Sequence, residues 1–191
     1  MTGPTPQSGA SDNRLDVARA DEAVLIEVVG LGNMFLAPSL QAFVESELRA
    51  GFVNFVIDLK KCRGMDSTFM GTFIELSAMV KKRIGWFCLV NAADENLRLL
   101  KMLGIIHLVT IHKGAFPAFE GKVTSLYPTN DPYARQKQIH SAHRLLLDAD
   151  PRNRERFGPF IKALEEEMAD IPIILPPSDP DAPVPGKSQK K

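Results

Sequence analysis

FVIDLKKCRGMDSTFMGTFIEL, residues 55–76, contains the two elements that decide the fold. Its first part belongs to a nearly continuous apolar run from Phe52 to Leu59, which is typical of a strand covered on both faces. After a loop from Lys60 to Asp66, apolar residues recur at helical spacing, which predicts a helix from about Ser67 to Arg83. A buried strand followed by an amphipathic helix indicates an α/β fold.

The residues before this stretch predict a hairpin and a helix. Leu15 to Val17 and Val24 to Val29 are apolar and β-branched, and the charged turn Arg19 to Glu22 separates them. Pro38 is suited to the first turn of a helix, and Gly51 is suited to its end. We therefore expect an antiparallel pair of strands and one amphipathic helix before the central strand.

The residues after the stretch continue the alternation of strands and helices. Trp86 to Val90 reads as another buried strand, Asp94 as the N-cap of a helix that Gly104 terminates, and Leu108 to Ile111 as a short last strand. These spacings predict a mixed β-sheet with an antiparallel first edge and helices packed on it.

The character of the chain changes after Gly114, where prolines mark a long connection. Helical periodicity returns from Tyr133 to Leu147, and a second apolar stripe includes Phe157, although Gly158 and Pro159 predict a break or restart there. The predicted organisation is a disordered leader at 1–13, the α/β domain at 14–114, a helical extension at 115–170 and a disordered proline-rich tail at 171–191.

Composition narrows the class of protein. The chain has 191 residues, 45% of them hydrophobic, which is enough for one well-buried core with extensions. Lys and Arg number 23 and so do Asp and Glu, so bulk charge attracts the protein neither to nucleic acid nor to an anionic membrane. We expect no secretory signal, no membrane insertion and, from the placement of Cys62 and Cys88, no disulfide, which fits a reducing cytoplasm.

Residues 55–76 resemble the STAS family, in which a hydrophobic strand leads through a short loop to Asp-Ser and then a helix. ENLRLLKMLGIIHLVTIH, from Glu95 to His112, is similar to the family's later helix, glycine stop and final strand. The resemblance implies an anti-sigma factor antagonist whose serine, here Ser67, is phosphorylated by a partner that is both anti-sigma factor and serine kinase. A serine phosphatase would be the second partner, and a homodimer is left open. The residues that the resemblance predicts for partner contact are Asp66, Thr68, Phe69, Met70, Thr72 and Leu76.

The same residues allow other interpretations. Asp66, Ser67 and Thr68 are also the residue types that cap helix N-termini, and Thr68 is a second, less favoured phosphorylation site. The chain departs from the commoner family motif at Thr68, where serine is usual, and at Phe69, where glycine is usual. The stripe formed by Phe69, Leu76 and Met79 is either a partner-docking patch or a surface covered by the C-terminal helices, and we expect the second.

No arrangement in the sequence predicts catalysis. His140 and His143 lie three residues apart on a predicted helix, but nothing adds further metal ligands, so a solvated helix face is favoured. We therefore expect no catalytic residues, no metal and no cofactor. The alternative function is that of a non-phosphorylated STAS adaptor, such as a subunit of a lipid-transporting ABC system or a scaffold in stress signalling. An enzyme of flavodoxin-like architecture ranks far behind, because no site supports it.

Overall fold

A computed structural model describes residues 12–20, 22–113 and 122–169. In chain order the elements are β1 (Arg14–Ala20), β2 (Ala23–Gly32), α1 (Ala37–Arg49), β3 (Asn54–Asp58), β4 (Cys62–Met65), α2 (Ser67–Lys82), β5 (Trp86–Val90), α3 (Asp94–Met102), β6 (Thr110–Ile111), β7 (Thr124–Leu126), α4 (Pro132–Ala149) and α5 (Pro151–Ala169). The predicted tail and nearly all of the predicted leader lie outside the described residues.

The strands form a mixed sheet in the order β6-β5-β3-β2-β1-β7. The predicted hairpin is present, since β1 pairs with β2 in antiparallel register, whereas β2, β3, β5 and β6 run parallel to one another. The first half of β2 pairs with β3, and its end, Gly30 to Gly32, pairs with β4. The mixed sheet with packed helices and a C-terminal helical extension is therefore confirmed.

The central strand and the main helix form for the predicted reasons. In β3, Phe55, Val56 and Ile57 are all buried, as expected of a strand with layers on both faces. Helix α2 packs its large apolar side chains on the sheet, where the ring of Phe73 lies 5.2 Å from Phe69 and 6.1 Å from Phe87. The core therefore lies between the sheet and this helix.

Several predicted details are wrong. The loop predicted from Lys60 to Asp66 contains strand β4, and the long connection after Gly114 contains β7, which pairs with β1. Both strands are short and lack an apolar run, so their formation depends on backbone pairing with a neighbouring strand. The strand predicted from Leu108 is limited to Thr110–Ile111, and the N-cap of α3 is Ala93, with Asp94 the first helical residue.

Helix α5 continues through Gly158 and Pro159, where a break was predicted. Pro159 is exposed, whereas Ile161 and Leu164 are buried on the other side of the helix. The missing proline N–H and the bend it imposes therefore fall on the solvent side, while packing against α4 holds the helix together.

Candidate functional site

Asp66 fixes the start of α2. One carboxylate oxygen, Oδ1, accepts from the backbone N–H of Phe69 at 2.8 Å, which makes Asp66 a side-chain N-cap. The other, Oδ2, accepts from the N–H of Met34 at 2.7 Å, and the Asp66 N–H donates to the carbonyl of Gly32 at 2.9 Å. The helix N-terminus is therefore tied directly to the end of β2.

Burial raises the pKa of the Asp66 carboxyl, and the hydrogen bonds from Phe69 and Met34 oppose that rise. The nearby imidazole of His143 also lowers this pKa. The start of α2 therefore already holds an acidic group removed from water.

Ser67 is the first residue of α2 and is half-buried. Its Oγ lies 3.0 Å from Nε2 of His143, a residue of α4. The other ring nitrogen of His143, Nδ1, lies 2.8 Å from the carbonyl oxygen of Ile139. A carbonyl can only accept, so Nδ1 carries the proton, and Nε2 of the neutral ring accepts from the Ser67 hydroxyl.

The environment of His143 favours that neutral ring. The side chain is buried, and burial lowers the pKa of the imidazole below its ordinary value. The ring centroids of Phe157 and Phe160, both on α5, lie 5.0 and 5.2 Å away with their planes steeply inclined. The Ser67 hydroxyl is thus hydrogen-bonded to an imidazole that packs against the aromatic rings of α5.

Helix α4 covers one face of α2, formed by Ser67, Gly71, Thr72 and Glu75 and hereafter called the covered face. Gln138 Nε2 donates to Thr72 Oγ1 at 3.0 Å and to Glu75 Oε2 at 3.3 Å. Ser141 Oγ donates to Glu75 Oε2 at 3.0 Å. All of these contacts on α2 come from hydroxyl or carboxylate groups.

The closest approach of the two helices is at Gly71. A Cβ at this position would lie 2.7 Å from the carbonyl oxygen of Ala142 and 2.8 Å from its Cβ, closer than real Cβ atoms approach. A residue with a side chain therefore cannot replace Gly71 unless α4 moves away.

The predicted cover exists but lies on a different face. Phe69 and Leu76 are fully buried in the core beneath α2, and Met79 lies near α1, where its Sδ accepts from Gln41 Nε2 at 3.4 Å. The expectation that the C-terminal helices cover these three residues is wrong, because the sheet takes the large apolar side chains. The small and polar residues of α2 face α4 instead.

The residues predicted for partner contact divide into two groups. Asp66 is half-buried at the helix start. The other five are almost wholly buried, with exposed fractions of 3% for Thr68, 0% for Phe69, 2% for Met70, 0% for Thr72 and 0% for Leu76. Thr72 lies under Gln138. Phe69, Met70 and Leu76 belong to the core, because their apolar side chains point to the sheet side of the helix.

The predicted solvated helix face is wrong for His143, which is 4% exposed, because α4 packs this side on α2. Sequence reasoning therefore missed His143 as a partner of Ser67. They are 76 positions apart, and only the packing of α4 on α2 brings them together. The local sequence shows only that a histidine lies within an amphipathic helix. It does not specify which residue that histidine contacts.

The family comparison gives one match. The model of the STAS domain matches residues 14–115 of the chain. The chain belongs to the STAS family.

Several solved structures are similar to this STAS protein. A candidate anti-sigma factor antagonist from Thermotoga maritima is 20% identical, with a TM-score of 0.48, and the match covers 51% of this chain and 85% of that one. The anti-sigma factor antagonist SpoIIAA in its unphosphorylated form is 14% identical with a TM-score of 0.45, covering 53% of this chain and 89% of that one. The phosphorylated form of SpoIIAA from Bacillus is 14% identical with a TM-score of 0.44, and the match covers 52% of this chain and 91% of that one. No curated protein matches the chain.

Helices α4 and α5 lie beyond the residues that match the STAS model, so His143 is not part of the matched domain. The two histidines of α4 do not share a ligand: His140 Nε2 lies 2.9 Å from Glu165 Oε1, whereas His143 faces Ser67. Within the residues that the structure describes, no group of three His, Cys, Asp or Glu side chains is placed to hold a metal ion. None of the described helices is both long enough and apolar enough to span a membrane.

Proposed function

We propose that this chain is an anti-sigma factor antagonist, a cytoplasmic partner-switching module controlled by phosphorylation of Ser67. In this role it binds an anti-sigma factor that is also a serine kinase, and a serine phosphatase restores the hydroxyl. It acts by binding and not as an enzyme, without direct contact to nucleic acid and without insertion into a membrane.

The observation that carries the proposal is the position of Ser67. In a chain of the STAS family, it directly follows the Asp66 cap and begins α2. A phosphate adds about −1.5 to −2 charges, and a helix N-terminus stabilises anions through its dipole and its free N–H groups. The domain is therefore expected to remain folded when Ser67 is phosphorylated.

The change in charge acts on the partner. The Ser67 Oγ attacks the γ-phosphorus of the kinase's ATP, ADP leaves, and the hydroxyl proton passes to a base. A partner docked over this point then meets the phosphate beside Asp66, and a like-charged or apolar contact there costs several kcal/mol. Because about 1.4 kcal/mol is a factor of ten in affinity, this is enough to switch binding.

Substitution of Ser67 tests the switch. We expect Ser67→Asp to weaken binding to the kinase that copurifies with the protein by at least tenfold, and Ser67→Ala to keep binding whether or not ATP is present. Titration calorimetry with purified kinase measures both. Ser46→Asp, on an exposed position of α1, is the matched control for added charge. Equal binding by Ser67→Asp and Ser67→Ala would exclude the switch.

A second candidate is the non-phosphorylated STAS adaptor, in a lipid-transport ABC system or a stress-signalling scaffold. The observation in its favour is that the Ser67 hydroxyl is already hydrogen-bonded to His143 and lies beneath α4. In an adaptor Ser67 would have only this structural role.

Mass spectrometry of the protein from its native cell separates the two candidates. Phosphate on Ser67 under any growth condition supports the antagonist. Ser67 that stays unmodified under starvation, stress and rapid growth supports the adaptor, as would a permease and an ATPase encoded beside it in place of a kinase and a phosphatase.

A further inference from the structure

We propose that the hairpin formed by α4 and α5 is a tethered competitor for the covered face, and that docking of this hairpin and phosphate on Ser67 exclude each other. The inference rests on the proposed role of Ser67 and adds its regulation. In the docked form the chain hides its own phosphorylation site, and the modified form is the undocked one.

The hydrogen bond between Ser67 and His143 cannot persist once the serine oxygen carries a phosphate. Nε2 of His143 lies 3.0 Å from the Oγ to which phosphorus would bond. Phosphorus replaces the proton of this hydrogen bond, so it either takes the position of the imidazole or bonds on another side of Oγ. Either change leaves a buried ring nitrogen without its donor, which is unfavourable.

The charges near Ser67 act in the same direction. Asp66 precedes it and is already buried enough to have a raised pKa. The group that α4 presents to Ser67 is an imidazole whose neutral form is favoured by burial, which lowers its pKa. In that form the proton lies on Nδ1, which donates to Ile139, and Nε2 carries none. The N-terminus of α2 still attracts a dianion at Ser67, but Asp66 repels it and a neutral ring does not pair with it as a buried charge requires.

A small shift of α4 cannot make room on the glycine side. At Gly71, α2 and α4 are so close that only a glycine fits, and the backbone of Ala142 fills the space where a side chain would lie. Only movement of α4 away from α2 relieves the conflict.

The rest of the interface suits reversible docking. Thr72 and Glu75 exchange their hydrogen bonds with Gln138 and Ser141 for bonds to water when α4 leaves. Contacts of this polarity resemble those between domains that move relative to each other. Leu146, fully buried against the core, favours the docked form while Ser67 is unmodified.

Coupling of this kind is reciprocal. If docking of the hairpin disfavours phosphate on Ser67 at equilibrium, then phosphate on Ser67 lowers the affinity of the hairpin for the covered face by the same factor. A partner that binds the covered face must likewise displace α4, so the hairpin sets a threshold for partner binding.

Hydrogen–deuterium exchange on the full chain tests the inference. Phosphoserine is installed at position 67 by genetic encoding, so the result does not depend on any cellular kinase. We expect amides of α4 and α5 to exchange at least ten times faster in the phosphoserine protein than in the unmodified one, while β3 and β5 keep their protection.

A variant without phosphate acts through the helix contact alone. Gly71→Ala places a methyl group against Ala142 and improves the helix propensity of α2, and it is expected to release α4 to a similar extent. Gly158→Ala is the matched control, because a Cβ there meets nothing within 4 Å. If Gly71→Ala also loses protection in β3, His143→Glu replaces it, since it leaves α2 unchanged and puts a carboxylate opposite Ser67.

An increase below tenfold in the phosphoserine protein overturns the inference, whatever the variants show. This outcome is distinct from failure of the proposed function. A chain that is never phosphorylated in its cell, yet releases α4 when phosphoserine is installed, refutes the proposed switch and keeps the exclusion.

Discussion

The imidazole of His143 joins three helices at the residue scale. It accepts from Ser67 of α2, donates to the carbonyl of Ile139 in its own helix, and lies between Phe157 and Phe160 of α5. The imidazole therefore contacts both Ser67 and the C-terminal helices that cover this serine. Its protonation must disturb both.

The pH dependence of stability follows from the lowered pKa of His143. Because the folded pKa lies below the ordinary value of 6.5, the unfolded chain binds more protons between these two values, and the free energy of unfolding falls as pH falls through that window. Urea unfolding of the native chain between about pH 5 and 8 measures this fall. We expect it to be smaller in His143→Gln, which has no proton to gain.

Other groups face the same ring and need a control. The hydroxyl of Ser67 does not titrate in this range, whereas Asp66, with a raised folded pKa, contributes in the opposite sense, since its protonation at lower pH favours the folded state. Asp66 is present in both chains, so the difference between them reports the titration of His143 together with its electrostatic effect on Asp66. Identical pH profiles would contradict the assignment of a buried neutral imidazole.

At the scale of elements, α2 has two different faces with two different partners. Large apolar side chains such as Phe73 and Leu76 pack on the sheet, and Gly71 with its polar neighbours packs on α4. A glycine in a helix interior weakens the helix by about 0.5–1 kcal/mol relative to alanine. Gly71 is thus a local cost that is offset by close contact with α4.

The same contrast explains which elements the sequence could predict. β3, β5 and α2 follow from apolar runs and helical periodicity, which act within a few residues. β4 and β7 carry no such pattern, because each is stabilised by backbone pairing with a distant strand. Pro159 is a correct local signal for a break, but contacts of Ile161 and Leu164 override it.

Pro159 makes a prediction for α5. It removes the hydrogen bond to the carbonyl of Glu155, and a proline inside a helix is about 3 kcal/mol less favourable than alanine. We expect Pro159→Ala to raise the free energy of unfolding by about 1–3 kcal/mol in urea titrations. Pro151→Ala is the matched control, since proline at the first helical position is tolerated. Equal effects of the two substitutions would contradict a strained α5.

At the scale of the whole molecule, β7 connects the C-terminal extension to the sheet. β7 pairs with Leu15 to Val17 of β1 and forms the edge of the sheet opposite β6. Short outer strands limit pairing between molecules, and β7 has only three residues. The extension therefore protects a strand edge as well as covering Ser67.

Two shortened chains separate these effects. A chain ending at residue 131 keeps β7 and loses α4 and α5, whereas a chain ending at residue 113 loses all three. We expect the shorter one to self-associate more strongly in sedimentation experiments, because the outer N–H and C=O groups of β1 become unpaired. The same degree of association in both chains would show that β7 does not protect this edge.

The candidate site was predictable only in part, because it depends on how distant helices pack in the whole molecule. Asp66 and Ser67 lie in adjacent positions, so the cap and the hydroxyl beside it follow from local sequence. The pairing of Ser67 with His143 depends on how a helix outside the matched domain packs across α2. No periodicity or motif in the sequence specifies which face of α2 packs against α4.

The cover over Ser67 is also the last part of the described chain to be synthesised. The elements from β1 to β6 end at Ile111, and α4 begins only at Pro132. At about 5–20 residues per second, the ribosome needs roughly 3–11 s to make the segment from residue 114 to the end of α5. Each new molecule thus passes through an interval in which Ser67 has been made and its cover has not, so a kinase active during translation meets a different substrate from one that acts on finished protein.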